Sequence, residues 1–216
     1  MLTLNKRITL LLLLSFSCQA IFAQPQGFKQ LANPSGFKQK LNEISKSVNT
    51  IQSDFIQEKH LTILSDKIVS SGKFFFKKEN QIRWEYTSPI KYLIILSNNQ
   101  VYIKDEGRTN QYDLGSNKAF REINNIMSGA VQGNLLQDET KYKSAYYENS
   151  KNYLVILTPN DKTMKDYIQS ICLYFDKKNF SVTGIKLVEN SDDYTLIQFN
   201  NRKQNIAISA DLFKLK

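Results

Sequence analysis

The chain has 216 residues, 41% of them hydrophobic and 12% aromatic, and a formal net charge of +9. That is enough apolar material for one domain with a sizeable core, and too much for a disordered chain. The basic residues are scattered without a basic helix or a nucleic-acid motif, and two cysteines are too few for a disulfide scaffold.

The first residues have the layout of a secretory signal. Lys6 and Arg7 form the positive start, residues 8–14 the apolar run, and Ile21-Phe22-Ala23 a cleavage site before Gln24. The run is shorter than the roughly 20 residues that a helix needs to cross a bilayer. Residues 1–23 are therefore expected to be removed, leaving an exported, soluble, periplasmic protein for which nucleic-acid binding is disfavoured. Cys18 has Ser15 three positions before it and bulky Phe16 between, which departs from a lipobox. It is expected to leave with the signal, whereas acylation there would make a membrane-anchored receptor. Cys172 then stays as a single thiol, expected to be buried as a small hydrophobe.

Residues 24–36 read as a mobile polar leader with Pro and Gly. Phe37, Leu41, Ile44, Val48, Ile51 and Phe55 recur at steps of four and three, which predicts an amphipathic helix over 35–54. The period then changes. Short segments rich in aromatic and β-branched residues predict strands at 55–64, 68–76, 81–87, 91–97, 100–104 and 109–114. Ser97-Asn98-Asn99-Gln100 suits a two-residue hairpin with positive φ at both asparagines. Residues 117–138 interrupt the strands. Ala119, Phe120, Ile123, Ile126, Met127, Ala130 and Val131 share one helical stripe broken by Gly129 and Gly133, which predicts one or two short helices. Strands resume at 141–148, 153–159, 167–175, 181–189, 193–200 and 205–207. Joints this short require antiparallel neighbours. The expectation is a mainly β (α+β) domain over 37–216: a curled antiparallel sheet, or incomplete barrel, of about eleven strands, with helices on one side.

So large a sheet curls, and its concave face has to be filled, closed or covered. Phe74, Phe76, Trp84, Tyr86, Ile94, Leu96, Tyr102, Leu154, Ile156 and Leu173 are the candidates to line it. A register error of one residue inverts such a set. The 13 Phe, 11 Tyr and single Trp, of which only Phe16 and Phe22 fall in the signal, suit an apolar cavity and a packed core equally. Catalytic constellations are missing from the sequence. His60 is the one histidine, with no nucleophile at a recognisable spacing, and no clustered metal ligands or Gly-rich phosphate loop occur. This reads as a binding protein and not an enzyme, with no cofactor.

The stretch 72–107 carries the most specific pattern. Gly72-x-Phe74, a basic turn, Arg83-Trp84-x-Tyr86-x-x-Pro89, an Ile/Leu strand, a Ser-Asn-Asn turn and Val101-Tyr102-Ile103-x-Asp105 resemble the core signature of the LolA family of periplasmic lipoprotein carriers. Phe55-Ile56-Gln57-Glu58, Gln111-Tyr112 and Ala210-Asp211-Leu212-Phe213 fit the same resemblance. The resemblance implies an incomplete antiparallel barrel whose hydrophobic groove holds lipoprotein acyl chains, with 48–55 and 117–136 as its helical cover. Phe120, Ile123 and Met127 would then be lid residues beside the groove. Family members carry a basic turn residue six positions before the Trp that contacts the lid. Lys78 holds that place here, although the Arg-Pro common in proteobacterial members is replaced by Lys77-Lys78. Implied partners are an inner-membrane lipoprotein-releasing transporter and an outer-membrane acceptor, served by a monomer. The alternatives are a periplasmic carrier or sensor of another lipid, such as a glycolipid or pigment precursor.

Overall fold

A computed structural model describes residues 24–215 apart from Asn80 and, within 116–138, all positions except Arg121, Asn125, Ile126, Ser128, Gly129 and Leu136. Twelve strands form one antiparallel sheet. In chain order they are β1 (Lys29–Gln30), β2 (Thr50–His60), β3 (Ile68–Lys77), β4 (Gln81–Ser88), β5 (Tyr92–Ser97), β6 (Gln100–Asp105), β7 (Arg108–Asp113), β8 (Tyr142–Glu148), β9 (Asn152–Pro159), β10 (Ile168–Asp176), β11 (Val182–Glu189) and β12 (Tyr194–Gln204). Helix α1 spans Pro34–Lys46, a single-turn α2 spans Lys162–Lys165, and a 3-10 turn spans Ala210–Phe213.

The spatial order is β1-β8-β9-β10-β11-β12-β2-β3-β4-β5-β6-β7. Two meanders, β2 to β7 and β8 to β12, are each built from neighbours in sequence. They join where β12 lies against β2, with Phe199 opposite Phe55 and Asn200 opposite Asp54. The joint closes with long-range bonds: Ser53 Oγ donates to the Asn200 carbonyl at 2.7 Å, and Asn201 Nδ2 to Asp54 Oδ2 at 2.8 Å. β1 and β7 remain as edges, so the sheet curls without closing.

Most hairpins follow from local chemistry. Asn98 and Asn99 have φ of 51° and 62°, the left-handed pair that a two-residue turn requires. Gly107 takes φ 84° in the β6–β7 turn. Gly72 has a different reason. A Cβ there would stand 1.9 Å from the Glu85 carbonyl oxygen, because β3 and β4 draw together at a bulge beside it.

Helix α1 is shorter than the apolar periodicity predicts. Asn33 caps it, its side-chain oxygen accepting from the Gly36 N–H at 2.9 Å, with Pro34 in the first turn, and it ends at Lys46. Ile51 and Phe55 belong to β2. A step of four returns to the same face in a strand as well as in a helix, so the spacing fits both and the β-branched Thr50-Ile51 tips it to strand. Residues 24–36, read as a leader, supply β1 and the start of α1; β1 pairs with Glu148 and Tyr147 of β8. The expected strand at 205–207 is replaced by a longer β12 and an irregular run into the 3-10 turn. In 117–138 the described Arg121, Asn125, Ile126, Ser128 and Gly129 are helical, as predicted for that stretch.

The core divides by sheet face. Phe37 and Leu41 of α1 pack with Ile51, Phe55, Phe74, Phe76, Ile82, Trp84, Val155, Leu157, Leu173, Phe175, Ile185 and Ile197 into one large cluster on the concave side, which Ile126 and Leu136 also join. On the convex side a small cluster of Phe75, Ile95 and Phe213 is extended by Leu93, Tyr102, Ile208, Leu212 and Leu215. The segment after β12 thus straps the back of the sheet, held by Arg83 Nη1 donating to the Leu212 carbonyl at 3.1 Å.

Candidate functional site

On the concave face the sheet gathers large apolar side chains from both meanders into one cluster. Along β4, alternation sends Ile82, Trp84 and Tyr86 inward and Arg83 and Glu85 outward, where the latter two pair at 3.0 Å. The flanking strands repeat the rule: Phe74 and Phe76 from β3, Ile94 and Leu96 from β5. Phe74 stands opposite Trp84, and Trp84 opposite Ile94. Six of the candidates, Phe74, Phe76, Trp84, Tyr86, Ile94 and Leu96, therefore meet on one surface together with Ile82, and Leu173 joins the same cluster.

Three others do not. Tyr102 packs in the convex cluster with Phe75 and Ile95. Leu154 and Ile156 alternate with Val155 and Leu157, which are the inward pair of β9. Leu154 stands opposite Tyr174 and Ile156 opposite Cys172, across a ladder in which Leu173 and Val155 face inward together. β9 is apolar on both faces, so its sequence gives no alternation to choose by, and a one-residue choice moved the pair to the back. Phe120, Ile123 and Met127 lie outside the described residues.

The second meander and α1 supply concave-face residues that were not among the candidates. Phe37 makes ring contacts with Tyr146, Tyr153, Phe175 and Phe180, at centroid distances of 6.2, 4.7, 5.5 and 5.9 Å. This aromatic knot seats α1 across the sheet at the end holding the β10–β11 turn. Toward the centre, Trp84 meets Phe55 and Phe74 at 4.9 Å each and Phe199 at 5.9 Å. Further along, Phe55 meets Tyr86 edge-on at 5.0 Å, and Tyr86 meets Tyr92 at 5.9 Å. The Tyr86 hydroxyl donates to Gln57 Oε1 at 2.9 Å. Burial pushes Tyr86 up to about 12, the Trp84 indole opposing and Tyr92 reinforcing the shift. Both tyrosines stay neutral donors at any ordinary pH.

Lys78 stands at the C-terminal end of α1. Its Nζ donates to the Lys46 carbonyl at 3.1 Å and its backbone N–H to the Asn49 carbonyl at 2.8 Å. A cation there meets the negative end of the helix dipole. Toward the start of α1, Lys38 reaches Glu139 at 2.6 Å, which holds the lysine above and the carboxyl below their ordinary values. α1 is thus tied at both flanks.

His60 stacks on Tyr194 at 5.0 Å on the opposite face to Gln57. Among the described residues no group of three His, Cys, Asp or Glu is placed to hold a metal ion, and no helix is long and apolar enough to cross a membrane.

Comparison with known families decides the kinship. Residues 46–216 match the family model described as outer membrane lipoprotein carrier protein LolA. The chain belongs to the LolA family. An outer-membrane lipoprotein carrier protein from Methylococcus capsulatus is 22% identical over 176 residues, covering 81% of each chain. Among solved structures, a chain in the Pseudomonas aeruginosa MucA/MucB complex superposes with a TM-score of 0.51 at 14% identity, over 86% of this chain and 62% of that one. A LolA superfamily protein from Nitrosomonas europaea gives 0.45 at 10% identity, over 82% and 97%. The LolA signature residues Gly72, Trp84 and Tyr86 all sit where β3 and β4 approach each other, so the motif is a packing unit as well as a groove wall.

Proposed function

We propose that this chain is a periplasmic, non-enzymatic carrier that takes the acyl chains of lipoproteins into the concave groove and moves them from the inner to the outer membrane. The observation that supports this reading is the apolar concave face. Phe55, Phe74, Trp84, Ile94, Leu96 and Phe199 form an apolar wall on one face of a sheet that does not close, and membership in the LolA family supports the cargo class. Burial stabilises by roughly 0.8 kcal/mol per methylene, so a chain of about 15 methylenes costs on the order of 12 kcal/mol to leave in water. A curled, unclosed sheet with α1 across one end suits burial that can be reversed without unfolding. The partners are an inner-membrane lipoprotein-releasing transporter and an outer-membrane acceptor, with the carrier acting as a monomer.

The test is release. Residues 24–216 are added to spheroplasts holding labelled lipoproteins, and the soluble fraction is run on gel filtration. Stoichiometric complexes are the expected result. Absence of release, with phospholipid or another lipid co-purifying, would replace lipoprotein cargo by a different lipid. Ile94→Glu, on the half-buried part of the wall, is expected to abolish release while leaving the thermal transition in place.

A further inference from the structure

Among the described residues two buried side-chain polar atoms lack a hydrogen-bond partner, Trp84 Nε1 and the Tyr146 hydroxyl. Both belong to the concave face. Tyr146 has a cation beside it, the Lys38 ammonium 5.6 Å from its ring. Trp84 is only 6% exposed, and its ring neighbours Phe55, Phe74 and Phe199 offer no acceptor. The Tyr86 oxygen is close enough for the indole N–H to oppose the rise of its hydroxyl, but it makes no hydrogen bond of good geometry with Nε1 and its own proton goes to Gln57. A buried N–H without an acceptor loses its water and gains nothing, so natural cores rarely keep one without a reason.

The neighbourhood supplies the reason. Inward from Trp84 the wall is apolar, with Ile82, Phe76 and Ile51. In the other direction along the same face come the Tyr86 hydroxyl on Gln57 and then half-buried Tyr92. Trp84 stands at the step between hydrocarbon wall and polar wall. An acyl lipid has one such step of its own, where the hydrocarbon tail meets its ester or amide carbonyl. Methylenes are alike along a tail, so an apolar groove alone cannot fix how deep the tail sits. A carbonyl drawn into an aromatic cage loses water and needs a donor.

We infer that Trp84 Nε1 donates to an acyl carbonyl oxygen of the cargo, with Tyr86 and Gln57 beside it, so that the groove reads the tail–headgroup junction and sets the depth of the tail. This rests on the acyl-carrier reading above. The shared chemistry is the carbonyl; a lipoprotein or a diacyl phospholipid would present it equally.

The experiment compares ester with ether. Wild-type protein and Trp84→Phe are titrated with a dipalmitoyl-glyceryl-cysteine lipopeptide and its dihexadecyl ether analogue, and with a phosphatidylglycerol pair differing in the same way. Wild type is expected to prefer the ester by about fivefold, the scale of one net hydrogen bond, and the preference is expected to collapse toward one in Trp84→Phe. The pair that shows the preference names the source of the carbonyl. An equal preference in both proteins would overturn the inference. If neither lipid of either pair binds wild type, the acyl-carrier reading itself fails, which is a separate outcome. Because Trp84 is the sole tryptophan, the ultraviolet Raman band of its indole N–H gives a readout that needs no variant. It is expected to shift with the ester and not with the ether, and an identical band in both complexes counts against the donor.

Discussion

Gly72 shows how much one missing carbon can matter. Its Cα faces the Glu85 carbonyl so closely that a Cβ would stand 1.9 Å away, and backbone on both sides prevents an easy retreat. Gly72→Ala is expected to cost about 2 kcal/mol or more in urea unfolding, as overpacking does where nothing can give. A loss within a few tenths would show that β3 and β4 part freely at the bulge. Glu148 acts at the opposite edge. Lys177 holds it at 2.6 Å and Lys29 at 3.4 Å, and the Lys177 hydrogen bond first of all lowers its carboxyl below the ordinary 4.5. A carboxyl lowered on folding stabilises the fold above its ordinary value and loses that contribution as pH falls through the lowered one. The thermal midpoint of wild type should therefore drop more steeply below about pH 4.5 than that of Glu148→Gln. Parallel curves would remove Glu148 from the acid response. That Trp84 and Tyr86 share one face was legible because a polar or charged residue alternates with each of them in β4. Leu154 and Ile156 were not, because every residue of Leu154-Val155-Ile156-Leu157 is apolar and burial on both faces erases the alternation that would assign them.

At the scale of elements, the helix–strand boundary was the hardest to read. Ile44, Val48, Ile51 and Phe55 continue the stripe of α1 in spacing, but the helix ends at Lys46 and Ile51 already faces inward from β2. The turn between the two is held by two side chains. Lys78 Nζ meets the Lys46 carbonyl, and Asn205 Nδ2 donates to the Ser47 carbonyl at 3.0 Å, so the end of α1 is held from β3 and from the end of β12 together. Lys78→Ala is expected to speed amide exchange in the last turn of α1 while β4 to β6 keep their protection. Unchanged exchange there would reduce Lys78 to a solubilising turn residue. β3 to β11 were legible to within a residue or two at each end, because Asn, Asp, Gly and Lys turns punctuate them, whereas β2 starts five residues and β12 ends four residues away from the expected bounds. β1 was not, since two residues beside Pro and Gly carry no periodicity; only β8 makes them a strand.

For the whole molecule, the curl and its apolar lining were foreseeable from strand count and aromatic content, but the joining of the halves was not. Chain order suggests that β7 and β8 are neighbours, yet they stand at separate places in the sheet and β12 returns to β2. Thr50 Oγ1 on the Ile206 carbonyl and Asn49 N–H on Asn205 Oδ1 fix that return. Two locally paired meanders need each other because the concave cluster draws on both, Trp84 meeting Phe199 of the second meander at 5.9 Å as well as Phe55 and Phe74 of its own at 4.9 Å.

That return sets an order of events for a nascent chain. β2 emerges early, but its second edge has no partner until β12 appears, with Asp54 and Asn201 lying 147 residues apart. Contacts of such separation form late, after loop closure has been met. Until then a strand carrying Ile51 and Phe55 presents open N–H and C=O groups and an uncovered apolar face, the combination that recruits other strands. A chain that stops short of β12 is thus a sticky half-sheet, and whatever accompanies it has to shield β2 until the last strand arrives.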